Sequence, residues 1–63
     1  MNKGIAFLIL KLFVENTDYS EDNIAVIEPT DFKNEFNVIT DDGFIWYVNI
    51  KELEFRKIGI YNI

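Results

Sequence analysis

Apolar and polar positions alternate with a period of two over much of this chain, the signature of half-buried strands. Residues 36 to 40 read Phe-Asn-Val-Ile-Thr, and residues 44 to 50 read Phe-Ile-Trp-Tyr-Val-Asn-Ile. In the second run Phe44, Trp46, Val48 and Ile50 share one face, while Ile45, Tyr47 and Asn49 share the other. Both runs are rich in β-branched and aromatic residues, which suit a pleated surface. Asp41-Asp42-Gly43 separates them. Asp-Gly tolerates the positive φ angles of a tight type I′ turn, so the pattern predicts a hairpin.

Upstream, Asn23 to Glu28 predicts a short strand ended by Pro29. Proline has no amide hydrogen to give to a ladder. Residues 16 to 22 form an acidic loop around Tyr19, and residues 30 to 35 a polar loop around Phe32. Lys51 to Glu54 suits a single helical or 3₁₀ turn, and residues 58 to 63 a last strand. The segment from Gly4 to Glu15 is apolar on every side except at Lys11. As a strand it would set Ala6, Leu8, Leu10, Leu12 and Val14 against Ile5, Phe7, Ile9, Lys11 and Phe13. As a helix it would be greasy all round. Gly4 and the β-branched Ile5, Ile9 and Val14 favour the strand reading, while its Ala and Leu residues favour the helix.

With the strand reading, the expected fold is all-β: a single domain over residues 1–63, built as a five-stranded antiparallel curled sheet or small barrel. Curling hides the open strand edges. The stretch Phe36 to Phe55 resembles the second half of SH3-like barrels: a strand, an Asp-Gly hairpin, a second strand, a short turn carrying Leu53, and a last strand. That resemblance implies a shape. Lys51 to Lys57 contains neither Pro nor Tyr, so the family's groove for proline-rich peptides is not implied with it. Trp46, on an alternating strand, reads as core.

Composition narrows the chemistry. The chain has 63 residues with no Cys and no His. That excludes a disulfide scaffold, a zinc site built on those ligands, and thiol or imidazole catalysis. Ser20 is the only serine and has no base to activate it. Asp41 and Asp42 are neighbours, which point apart in an extended context. A calcium loop counted from Asp18 would place Asn23 and Pro29 where a glycine and an acid are needed. The three glycines are isolated, so there is no phosphate loop. No cofactor and no enzymatic activity are expected. The apolar run from Ile5 to Val14 is too short for a membrane span and is broken by Lys11. No small-residue cleavage site follows it. A cytoplasmic location is the expectation, with no membrane partner.

The formal charge is −5, and it is unevenly spread. Residues 15 to 42 carry nine acids against the single base Lys33. Such a surface opposes direct nucleic-acid binding, although a small barrel with exposed aromatics is a known way to hold single strands. It suits solvated turns, or steering towards a basic partner. Three functions are therefore considered. The first is a non-enzymatic protein-binding module that forms a homodimer or docks on a protein partner. Ile5, Phe7, Ile9 and Phe13 would be its apolar contacts, Asp18, Glu21, Asp22, Asp41 and Asp42 its acidic ones, with Tyr19 and Phe32 as added aromatic contacts. The second follows from size and acidity, in which the chain is similar to small accessory proteins of phages and mobile elements. That likeness implies an inhibitor that occupies the nucleic-acid groove of a host or defence protein. The third is a single-stranded nucleic-acid binder.

Overall fold

In the computed structural model, which describes residues 2–61, the chain is mostly β. It is a four-stranded antiparallel sheet with one helix laid on it. Helix α1 spans Lys3–Asn16, and a 3₁₀ turn spans Glu21–Asn23. Strands β1 (Ile24–Pro29), β2 (Glu35–Thr40), β3 (Phe44–Asn49) and β4 (Glu54–Ile60) follow. The sheet order is β1-β2-β3-β4, a simple meander with two open edges. It is neither five-stranded nor closed into a barrel.

The segment expected as a first strand is α1, and geometry explains the outcome. Fourteen extended residues would span about 46 Å, whereas the molecule measures 26 × 23 × 20 Å. Coiled, the same residues take up about 21 Å, which matches the sheet they must cover. A sheet needs a second layer over its apolar face, and no other segment can supply one. Local chemistry sets the ends. The Asn2 side-chain oxygen accepts a hydrogen bond from the Ile5 amide at 2.9 Å, an N-cap. At the other end the Asn16 side-chain amide donates to the Leu12 carbonyl and the Thr17 hydroxyl to the Phe13 carbonyl, each at 2.7 Å. Both bonds add donors at the end where a helix's carbonyls run out of backbone partners.

The core lies between α1 and one sheet face. Ile9 and Phe13, four residues apart and so on one side of the helix, are fully buried against Phe36, Val38 and Val48. Burying each helix side chain contributes roughly 1.5–3 kcal/mol. The alternation expected for β3 holds: Trp46 and Val48 join this core, with Phe55 of β4 packed beside them. Among the described residues no second layer covers the opposite sheet face. There Ile39 is flanked in register by Val26 and Ile45.

The hairpin after β2 is present, but its turn is not type I′. Its loop is the three residues Asp41-Asp42-Gly43, and of these only Gly43 has positive φ, at 90°. The Gly43 amide donates to the Thr40 carbonyl at 3.0 Å. This is a three-residue loop with its glycine in the bulge position. The helical turn expected at 51–54 is instead a reverse turn held by Asn49, whose side-chain oxygen accepts from the Lys51 and Glu52 amides at 3.0 and 2.9 Å. Leu53 takes φ 53° there. The last strand begins at Glu54 rather than Ile58; residues 62 and 63, assigned to it from sequence, lie outside the described residues.

Candidate functional site

Two surfaces carry all but Phe32 of the residues singled out from sequence. The first is the outer side of α1. Ile9 and Phe13, expected as partner contacts, face the sheet and are fully buried, so they serve the core. Ile5 and Phe7 do reach solvent, at 37% and 66% exposure, and Leu8 joins them at 43%. Sequence reasoning missed Leu8, because a period of two puts Leu8 opposite Phe7, whereas a helix places successive residues only about 100° apart. Next to Phe7 a shallow hollow of about 190 Å³ runs along Leu10, Lys11 and Val14 towards Glu15 and Glu21. Lys3 and Lys11 flank this apolar stretch, and no acid occurs in α1 before Glu15.

The second surface is the end of the molecule where the loop after α1 meets the β2–β3 turn. The Tyr19 hydroxyl donates to Asp42 Oδ2 at 2.6 Å. The Asp41 amide donates to the Asn23 carbonyl at 2.7 Å, and the Asn23 side-chain amide to Asp41 Oδ2 at 3.3 Å. The Ser20 amide donates back to Asn23 Oδ1, closing the 3₁₀ turn. These bonds draw the segment Asp18–Asp22 against the turn Asp41–Asp42, so all five expected acidic contacts lie at one exposed end. Asp42 accepts from the Thr40 hydroxyl as well. The Thr40 hydroxyl, and after it the Tyr19 hydroxyl, hold the Asp42 carboxyl below its ordinary value of 3.8. Donors aimed at a carboxylate favour its charged form. Among the described residues no three acidic side chains converge as a metal site.

Beside this end lies a groove of about 850 Å³. Its floor is aromatic: Tyr19, Trp46 and Phe55. Phe13 sits beneath, 5.6 Å from both the Tyr19 and Trp46 rings, and Tyr19 meets Trp46 edge-on at 5.7 Å. Tyr19 is thus half-buried in an aromatic cluster and also lines the groove. One rim carries Glu15 and Asp18, at the C-terminal end of α1; the other carries Lys57. The Lys57 ammonium lies over the Phe44 ring at 3.8 Å and 5.5 Å from the Trp46 ring. Trp46 Nε1 is buried without a hydrogen-bond partner among the described residues. Phe32, the other aromatic expected as a contact, stands away from the core in the β1–β2 loop at 68% exposure. No helix among the described residues is long and apolar enough to cross a membrane. Comparison with known proteins finds no matching family, no matching characterised protein and no matching solved structure.

Proposed function

We propose that this chain is a non-enzymatic protein-binding module that docks through the outer side of α1. The observation that carries the reading is the exposure of Ile5, Phe7 and Leu8 on the helix whose other side fills the core. Contiguous exposed apolar side chains of this kind mark protein contacts. Lys3 and Lys11 beside them favour an apolar surface with a carboxylate rim, and opposite charge at the rim fixes register and speeds encounter. A second copy of the chain and an unrelated protein are both admissible partners. A photo-crosslinker at position 7 tests the reading, with exposed Lys33 as the control position. The expected result is a discrete adduct from position 7 that is absent from position 33 and lost in Leu8→Glu. Equal yields from the two positions would remove α1 as the docking surface. Sedimentation across concentration then separates self-association from docking on another protein.

The acidic end favours a second reading: an inhibitor that places carboxylates in the nucleic-acid groove of a basic protein, as a phage-type accessory protein would. What supports it is the hydrogen bonding that gathers Asp18, Glu21, Asp22, Asp41 and Asp42. A charge-led complex weakens steeply with salt, because exposed charges are screened within about 4–5 Å near 0.5 M. A complex equally strong at low and high salt would count against this reading.

A further inference from the structure

We propose that the aromatic-floored groove between the C-terminal end of α1 and strands β3 and β4 takes an arginine side chain from a protein partner. This site shares only Glu15 with the hollow on the outer side of α1 and does not depend on docking there. Four features converge there. Tyr19, Trp46 and Phe55 present aromatic surface, and a guanidinium stacks on such surface better than an ammonium does. Glu15 and Asp18 stand on the rim with no salt bridge to a basic residue among the described residues, where the one ion pair is Arg56 with Glu54. A carboxylate can receive two parallel N–H donors from arginine. Helix α1 ends at Asn16 beside these acids, and its last turn holds no basic residue, so the negative end of its dipole is uncompensated. Lys57 does not neutralise the rim, because its ammonium is drawn over Phe44 at 3.8 Å. The same ammonium lies 5.5 Å from the Trp46 ring, within the reach of a cation–π contact on the groove's own aromatic surface.

Trp46 is the only tryptophan in the chain and lines the groove, so its emission responds to a ligand bound there. The test is a titration with a blocked Gly-Arg-Gly peptide, with blocked Gly-Glu-Gly and Gly-norleucine-Gly peptides as controls. The arginine peptide is expected to give a saturable change that the controls do not. The double variant Glu15→Gln with Asp18→Asn, both exposed positions, is expected to weaken binding about tenfold, the scale of lost charge-assisted hydrogen bonds. Lys57→Gln is expected to tighten binding, since it removes a like charge. Phe7→Glu is expected to leave it unchanged, which separates this site from docking through α1. A linear, unsaturable response, an equal response to the glutamate peptide, or weaker binding in Lys57→Gln would each overturn the proposal. Should a variant melt early, amide and indole N–H shifts of the wild-type protein decide. Shifts confined to residues 15–19 and the Trp46 indole support the site, and shifts elsewhere refute it.

Discussion

Asp42 holds two parts of the chain together, through Thr40 on its own hairpin and Tyr19 on the distant loop. Because its folded-state pKa is lowered, its contribution is complete above the ordinary carboxylate value. It drains away as the pH falls through the lower, folded-state value. Asp42→Asn should therefore lower stability at neutral pH and flatten the loss of stability below about pH 4. Thermal melts from pH 2 to 7 check this; identical acid limbs for the two proteins would contradict it. Gly43 is the second residue on which the hairpin rests. Its φ of 90° is one that a β-branched residue resists. Gly43→Val should cost about 1–3 kcal/mol, or roughly 4–8 °C in melting temperature per kcal/mol for a chain this short.

At the scale of elements, α1 is the decisive case. Its two sides make opposite predictions for the same kind of substitution. Phe13→Ala opens a cavity at the hub of the aromatic cluster and should cost about 3–5 kcal/mol, enough to unfold a domain of marginal stability. Phe7→Ala, at 66% exposure, should change stability by less than about 0.5 kcal/mol. Chemical denaturation of both variants checks the pair. A strand over the same residues would put Phe7 and Phe13 on one face and make them behave alike. The β2–β3 hairpin was legible in the sequence because alternation and an Asp-Gly turn are local signals. Helix α1 was not, since a segment apolar on every side satisfies either period. Only Asn2 ahead of Ile5, and Asn16-Thr17 behind Phe13, hinted at its caps.

For the whole molecule, the fold concentrates charge. Asp18, Glu21, Asp22, Asp41 and Asp42 lie at one end although about twenty residues separate the two groups in sequence. Like charges brought together oppose folding, and salt screens them. The melting temperature should rise between about 20 and 200 mM salt, and rise less in Asp18→Asn with Asp22→Asn, which should itself fold. Calorimetry at the two salt concentrations checks this. An equal rise in both proteins would show that the five carboxylates do not act together. The sequence by itself determined the hairpin, the side of β3 that faces inward, the strand ending at Pro29 and the absence of His and Cys chemistry. Each depends on residue type or on neighbours within a few positions. Tertiary structure alone decided that residues 3–16 coil, that Ile9 and Phe13 are core while Phe7 and Leu8 are surface, and that an aromatic groove opens beside the acidic end. Those outcomes turn on which layer covers the sheet and on hydrogen bonds between distant loops, and neither is encoded in any short window of the chain.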